Sequence, residues 1–269
     1  MHCNCSNQKP FEEALRFRAS NLLACWLGET GSTNDEGKAL VRQATENVAA
    51  VIVADHQSTG RGTRGRVWNA PAVSLLLTVI VPLPVQIVDF SGLSLVVGAT
   101  CVQVLKKINP LVRLKWPNDL WIGDGKVAGI LCELVRNRNR RLHAVVGIGV
   151  NICLGESSFM TDTPVSALVD SFPNSWCEQK FRIETAAHLS VEIEKVCRKF
   201  DSDALLSVRE HWTKLDAFAG RKVLLTLPTG ESIEGQVTGI GMRGELLFAD
   251  TKGQVEAFAD ARIRPLATE

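Results

Sequence analysis

Six apolar, β-rich segments alternate with helical stretches over the first 217 residues, and no other feature of the sequence limits the fold as strongly. Each segment is bounded by Gly, Pro, Asn or Asp, and together they cover residues 22–27, 48–54, 73–81, 112–116, 127–135 and 142–152. Apolar residues at helical spacing predict helices over 34–46, 90–107 and 178–200. Ser32-Thr33 can cap the first helix, and Asp201 can cap a further short helix that runs to Lys214. The alternation predicts a mixed or parallel sheet that carries helices.

The pattern changes after Phe218. Short alternating segments cover 221–227, 231–240, 245–248 and 254–258, and glycine-bearing turns separate them. Closely spaced strands of this kind are typical of a small β-barrel. We therefore expect an N-terminal extension over 1–20, a larger domain over 21–217 and a small all-β domain over 218–269.

Charge and cysteine usage exclude several classes of protein. Lys and Arg total 30 against 29 Asp and Glu, so the net charge of +1 is unlike that of a general nucleic-acid binder. No stretch approaches the ~18 consecutive apolar residues of a membrane span, and the polar N-terminus does not resemble a signal peptide. The eight cysteines have no paired CxxC spacing. We expect a cytoplasmic protein with reduced, mostly buried cysteines, no specific DNA binding, no membrane association and no protein-held metal site.

The first chemically informative cluster is the glycine- and arginine-rich segment 60–66, GRGTRGR. It contains GxGxxG, but no helix is predicted at the third glycine, and a dinucleotide-binding fold requires one. Three arginines among three glycines are instead typical of a loop whose backbone and guanidinium groups approach an anion. A solvated basic hairpin is the alternative interpretation.

Two further clusters lie at the end of one predicted strand and within another. The first is KWPND at 115–119, and Lys126 with Gly129 follows it in KVAGILCE. A lysine beside a glycine can bridge two anionic groups, although a lone lysine is more often a surface residue. The second cluster is GIGVN at 147–151. Alternate glycines weaken a strand, so a flat ligand ring or a tightly packed helix is expected against them, and the helix is the more common cause.

These motifs, in this order, resemble those of biotin protein ligases, from about residue 22 to 155 and more weakly through the C-terminal segment. The resemblance implies an α+β catalytic domain with a mixed sheet, similar to class II aminoacyl-tRNA synthetases, and a small SH3-like C-terminal domain. It implies that biotin and ATP, accompanied by Mg²⁺, form biotinyl-adenylate. The biotinyl group then passes to one lysine of a biotin carboxyl carrier domain.

The resemblance also implies roles for individual residues. Lys126 would contact the biotin carboxylate and the α-phosphate, Arg61 would close over the carboxylate, and Asp119 would orient the incoming lysine. The biotin-binding residues would be Ser32, Thr33, Asn34, Gln57, Gly60, Arg61, Lys126, Gly129, Leu131 and Gly147. The ATP-binding residues would be Arg64, Arg66, Trp68, Asn118, Lys126, Asn151 and Arg264, with Trp68 beside the adenine.

One position departs from the family pattern. Thr63 stands where bacterial relatives usually have a further arginine, so we expect weaker retention of the adenylate. About thirty residues precede Ser32, too few for the N-terminal DNA-binding domain of some relatives, and the resemblance therefore implies the ligase-only form. The oligomeric state, monomer or homodimer, is open. The alternatives are a lipoate protein ligase and a sensor that binds biotin or its adenylate without transferring it.

Overall fold

The structure is a computed structural model that describes residues 6–68, 73–87, 89–154, 163–172 and 177–266. It contains a seven-stranded mixed sheet with helices and a separate five-stranded antiparallel sheet. This confirms the predicted α+β fold, and the second sheet fits the predicted SH3-like barrel. Among the described helices, none has the length and apolar character needed to cross a bilayer.

The large sheet has the strand order β1-β2-β3-β7-β6-β5-β4. Only β1 and β2 are parallel, and every other neighbouring pair is antiparallel. The strands are β1 (Leu23–Thr30), β2 (Ala50–Gln57), β3 (Val73–Pro82), β4 (Arg113–Lys115), β5 (Asp119–Ile122), β6 (Gly125–Arg136) and β7 (Leu142–Cys153).

Helices cover both faces of this sheet. They are α1 (Gln8–Phe17), α2 (Thr33–Gln43), α3 (Leu93–Leu105), α4 (Glu178–Arg198), α5 (Ser202–Glu210) and α6 (Trp212–Leu215). Strand β3 is buried at eight successive positions because α2 packs on one of its faces and α4 on the other. Its sequence is therefore an almost continuous apolar run. Within the predicted N-terminal extension, α1 places Phe11 against Trp26 with the ring centroids 5.3 Å apart, so this helix joins the core.

The small sheet has the order β11-β10-β9-β8-β12. Its strands are β8 (Lys222–Thr226), β9 (Ser232–Ile240), β10 (Leu246–Asp250), β11 (Val255–Phe258) and β12 (Arg262–Pro265). It packs on the larger unit through the β9–β10 turn. The Trp116 indole Nε1 donates a hydrogen bond to the Gly244 carbonyl oxygen at 2.9 Å, and Phe218 meets Trp121 edge to face at 5.3 Å.

Several predicted elements differ in detail. Strands β5 and β12 were not expected, and the helix expected to run from Asp201 to Lys214 is two helices, α5 and α6. The Asp201 cap is confirmed, because its carboxylate accepts a hydrogen bond from the Ala204 N–H at 2.9 Å. Ser32 stands at the N-cap of α2, but its side chain makes no capping hydrogen bond, so that prediction is wrong.

The cysteine prediction is also corrected at one position. Cys25 is disulfide-bonded rather than reduced, and Cys3 and Cys5 lie outside the described residues. The structure records five cysteines as free: Cys101, Cys132, Cys153, Cys177 and Cys197. Burial raises the pKa of the Cys101 thiol far above its usual range, so this thiol is unreactive.

Candidate active site

A cavity of about 420 Å³ opens over the middle of the large sheet, a volume typical of small-molecule sites. It brings together most of the residues predicted from the sequence. Those in its wall are Ser32, Thr33, Asn34, Gln57, Arg61, Arg66, Trp68, Asn118, Asp119, Lys126, Gly129, Leu131, Gly147 and Asn151. Arg61 and Lys126, which are far apart in the sequence, therefore face one cavity.

Three predicted residues are not in the described wall. Gly60 lies just behind it and accepts a hydrogen bond from the Trp68 N–H at 2.9 Å. Arg64 lies in a short 3-10 turn, Thr63–Gly65, and its side chain is outside the described part of the structure. Arg264 lies on β12 of the small sheet, paired with Leu224 of β8.

The glycine- and arginine-rich segment forms a small hairpin, here called the flap (residues 60–68). Arg61 and Val67 pair as an antiparallel bridge, and the Gly62 N–H donates to the Arg66 carbonyl at 2.7 Å. Gly65 has φ +71°, which glycine adopts without strain. No α-helix begins at this glycine, so the flap is not a dinucleotide-binding motif.

An ion-pair chain joins the flap to α2 and β6. The Arg61 guanidinium contacts the Asp35 carboxylate, and Lys38 lies 3.0 Å from Asp35 and 2.8 Å from Glu133. Glu133 also accepts a hydrogen bond from the Asn34 amide at 2.9 Å. Burial opposes the charge of Glu133, but its bonds to Lys38 and Asn34 prevail and lower its pKa. These contacts fix the start of α2 against the cavity.

A polar network closes the α2 end of the cavity. The Gln57 Oε1 accepts hydrogen bonds from the Thr33 N–H at 2.7 Å and the Thr33 hydroxyl at 2.9 Å. The buried Thr78 hydroxyl bonds to Thr33 at 2.8 Å and to Asn34 at 2.7 Å. Ser32 is buried, yet no hydrogen bond engages its hydroxyl within the described residues. That hydroxyl is therefore available to a polar ligand group.

Lys126 also lines the cavity. Its ammonium nitrogen is 2.7 Å from the Asp119 carboxylate and 5.3 Å from the centroid of the Trp68 ring. The backbone of Lys126 is fixed by the segment after β7: its N–H donates to the Pro164 carbonyl at 2.8 Å, and its carbonyl accepts from the Ser166 N–H at 2.9 Å. A positive charge held in this way can stabilise an anion in the cavity.

The strand glycines have two different partners. A Cβ at Gly147 would lie 2.0 Å from the Asn34 side chain of α2, which is the tight helix packing that was expected. A Cβ at Gly149 would lie 2.4 Å from the Trp68 indole, and one at Gly129 would lie 3.0 Å from the same ring. The ring that packs against Gly149 and Gly129 is therefore the protein's own Trp68 indole, not a ligand ring.

The two asparagines predicted for the nucleotide differ in their engagement. The Asn118 amide donates to the Ile130 carbonyl at 2.6 Å, which fastens the turn after KWP to β6. The Asn151 amide donates to the Lys126 carbonyl at 3.1 Å. Asn151 Oδ1 and the Trp68 Nε1 are buried without a hydrogen-bond partner in the described residues. Such groups are expected where a ligand completes the hydrogen bonding.

Sequence reasoning missed several residues of this site. Thr78, a polar residue inside an apolar strand, was a signal that could have been used. Asp35 and Lys38 gave no signal, and Glu133 stands in the KVAGILCE segment without an assigned role, because their contacts join segments that are far apart in the chain. Thr63 lies in the cavity wall, as expected of a flap residue, and its hydroxyl accepts a 3.4 Å hydrogen bond from Arg66.

Comparison with known proteins gives consistent matches. Residues 28–151 match the model of the biotin/lipoate A/B protein ligase family. The bifunctional ligase/repressor BirA of Escherichia coli is 35% identical over 200 residues, covering 73% of this chain and 60% of that protein. The biotin--[acetyl-CoA-carboxylase] ligase of Mycobacterium tuberculosis is 29% identical, covering 82% of this chain and 80% of that protein. The chain thus spans about 60% of the length of the Escherichia coli relative.

A solved structure shares the fold. The biotin protein ligase from Aquifex aeolicus in complex with biotin and ATP superimposes with a TM-score of 0.67 at 23% identity. The match covers 91% of this chain and 99% of that one. Residues 28–151, which match the biotin/lipoate A/B protein ligase family, contain the flap and most of the cavity wall.

Proposed function

We propose that the protein is a biotin protein ligase that attaches biotin to one lysine of a biotin carboxyl carrier domain, using ATP through a biotinyl-adenylate. The relatives and the solved complex described above support biotin, ATP and acetyl-CoA carboxylase as the chemical context. The observation that carries the proposal is that Arg61 and Lys126 line one cavity.

In the first step, the biotin carboxylate attacks the α-phosphorus of ATP. A new carboxylate–phosphorus bond forms, and the bond to the β-phosphate oxygen breaks, so that its electron pair leaves with pyrophosphate. The two reactants are both anionic, and a cation between them is needed to offset their repulsion and the charge that develops on the phosphoryl oxygens. Lys126 has this role in the proposal. The Arg61 guanidinium would leave the Asp35 carboxylate and bind the biotin carboxylate instead.

The biotin head group is assigned to the α2 end of the cavity. The proposed partners of its ureido ring are Ser32, Thr33, Asn34 and Gln57, because a hydroxyl without a hydrogen bond and a polar network border that end. Gly129, Leu131 and Gly147 would form the floor. Gly60 would act indirectly, through its backbone bond to Trp68.

The nucleotide is assigned to the end that contains Trp68 and Asn151. Their unpartnered buried polar atoms support this assignment, and Arg66 would hold phosphate. Asn118 is proposed to position the turn beside the nucleotide, since its amide already donates a hydrogen bond to the Ile130 carbonyl. Arg64 remains a predicted phosphate contact, and Arg264 a predicted contact to the nucleotide.

Mg²⁺ enters the proposal as part of the MgATP substrate. No group of three or more His, Cys, Asp or Glu suited to a metal ion occurs among the described residues. In nucleotide sites Mg²⁺ is usually held mainly through phosphate oxygens and water rather than by a cluster of protein ligands. We propose the same mode of binding here. The bound ion would offset charge on the polyphosphate.

In the second step, a lysine amine of the carrier attacks the biotinyl carbonyl carbon. A new amide bond forms, the acyl–phosphate bond breaks, and AMP leaves. The attacking amine gives up a proton, which passes to solvent water. Asp119 is proposed to orient this amine, because its carboxylate lies in the cavity wall beside Lys126.

The proposal is tested with radiolabelled biotin, MgATP and a purified biotin carboxyl carrier domain. We expect ATP-dependent label on the carrier, and none on a carrier whose acceptor lysine is replaced by arginine. Equal or faster transfer of labelled lipoate to a lipoyl domain would identify a lipoate ligase instead. Binding of biotin without transfer would identify a sensor.

Other features stay predictions. These are the ligase-only form, the cytoplasmic location, the absence of specific DNA binding and the monomeric or homodimeric state. The division into a catalytic part over 21–217 and an SH3-like part over 218–269 is likewise proposed. The weaker retention of adenylate expected from Thr63 can be measured as its release rate from the unmodified chain and from Thr63→Arg.

A further inference from the structure

Lys115 is a half-buried lysine outside the cavity wall. It is the last residue of β4, and its ammonium nitrogen lies 4.7 Å from the centroid of the Trp121 ring. The indole face attracts the positive charge, but no hydrogen bond or ion pair joins this nitrogen to another described residue. Burying a lysine without such a partner is costly unless something else offsets its charge.

The charges around Lys115 are mostly of its own sign. Asp119 lies directly opposite it in the β4–β5 register and is the attractive neighbour. Lys126 on β6, Arg66 on the flap and Arg264 on β12 are all close enough to repel it. Burial is the largest cause that lowers the pKa of the Lys115 amine to about 8; Asp119 opposes this shift, and the three cations add to it. The single carboxylate of the group, Asp119, is already in contact with Lys126.

Strand order shows where a ligand would run. Lys126, Asp119 and Lys115 lie on the neighbouring strands β6, β5 and β4, and the register places Lys115 and Asp119 side by side on one face. Adjacent strands are about 4.8 Å apart, so β4 lies roughly 10 Å from β6. A polyphosphate whose α-phosphate is at Lys126 would extend over β5 towards Lys115.

We propose that Lys115 binds the β- and γ-phosphates of ATP, the part that leaves as pyrophosphate, in a subsite shared with Arg66 of the flap and Arg264 of the small sheet. The inference rests on the proposed function and adds a residue to it. When the bond between the α-phosphorus and the bridging oxygen breaks, negative charge collects on the departing pyrophosphate. Cations already in place stabilise that charge without rearrangement.

The test is calorimetric titration of the full chain with inorganic pyrophosphate, and separately with biotin. We expect Lys115→Met to weaken pyrophosphate binding at least tenfold and to change biotin affinity less than twofold, which also shows that the variant is folded. Lys115→Arg should retain most of the pyrophosphate affinity. Lys107→Met, the same change at an exposed lysine, is the matched control and should bind both probes normally.

A second readout separates ligand binding from a structural role. Titrations at pH 8 in two buffers of different ionisation enthalpy report proton uptake. An amine with a pKa of about 8 is partly neutral there, so pyrophosphate should bind with proton uptake in the unmodified chain and with less in Lys115→Met. Unchanged pyrophosphate binding and unchanged proton uptake in Lys115→Met would overturn the role of Lys115 but not the proposed function. Absence of biotin-dependent pyrophosphate release by the unmodified chain would instead overturn the proposed function.

Discussion

The ammonium nitrogen of Lys126 lies 2.7 Å from the carboxylate of Asp119, on the neighbouring antiparallel strand β5. Their side chains are 20% and 14% exposed, so the pair is largely shielded from water and from salt. Asp119 thus fixes the position of the cation that the proposed reaction uses.

Asp119→Asn should slow biotin-dependent pyrophosphate release about tenfold with little change in the KM for biotin. The amide cannot fix the lysine as an ionic partner does, and tenfold corresponds to about 1.4 kcal/mol of activation free energy. Steady-state kinetics measure both parameters. Asp203→Asn, at an exposed residue of α5, is the control and should be kinetically normal. An Asp119→Asn variant as fast as that control would show that the carboxylate has no part in positioning Lys126.

Gly149→Ala should raise the KM for ATP about tenfold, because its Cβ would lie 2.4 Å from the Trp68 ring and displace it. Retained biotin binding would show that the variant folds. Gly239→Ala, in β9 of the small sheet, places its Cβ 3.7 Å from Leu247, an ordinary contact, and should leave the KM unchanged. Identical KM values for ATP in both variants would mean that ATP binding does not depend on the position of the Trp68 indole against Gly149.

Trp116→Phe should lower the free energy of unfolding by about 1 kcal/mol more than Trp121→Phe. Both changes remove part of a buried indole near the small sheet. Only Trp116 loses a hydrogen bond, to the Gly244 carbonyl, since the Trp121 Nε1 has no partner in the described residues. Urea denaturation measures the difference. Equal losses would show that the Trp116 bond contributes no net stability.

Asp216→Asn should stabilise the protein at pH 8 by roughly 1–3 kcal/mol and have little effect at pH 4. Burial raises the pKa of the Asp216 carboxyl to about 6, above its usual 3.8. A raised pKa favours the protonated folded state, so this stabilisation is complete below pH 4 and is lost as the pH rises through 6. The amide keeps the acceptor for the Phe218 N–H. Denaturation curves at the two pH values decide the matter, and equal effects at both would contradict the raised pKa.

Local patterns predicted most of the fold. Apolar runs and their bounding turn residues located β1–β4, β6 and β7, and helical spacing located α2, α3 and α4. Strand β5 was missed because its four residues follow directly on the KWPND turn, which leaves no room for a visible alternation. The break between α5 and α6 had no marker such as Gly or Pro.

The site was predictable where a motif holds its residues together, and not where the fold does. Lys126 and Gly129 stand in one short segment, so their shared role could be read from the chain. The reason for a glycine at position 149 could not be read from the chain, because the Trp68 side chain that packs against it comes from the flap. Lys115 opens the KWPND segment but could not be given a role from the chain alone, because its cationic neighbours come from β6, the flap and the small sheet.

The most direct test of the account is biotin-dependent release of pyrophosphate from MgATP by the unmodified chain and by Lys126→Ala. Circular dichroism and the free energy of unfolding must first show that the variant is folded. If Lys126 bridges the carboxylate and the α-phosphate, the variant should lose at least about a hundredfold in rate. Near-normal pyrophosphate release by folded Lys126→Ala would contradict the account.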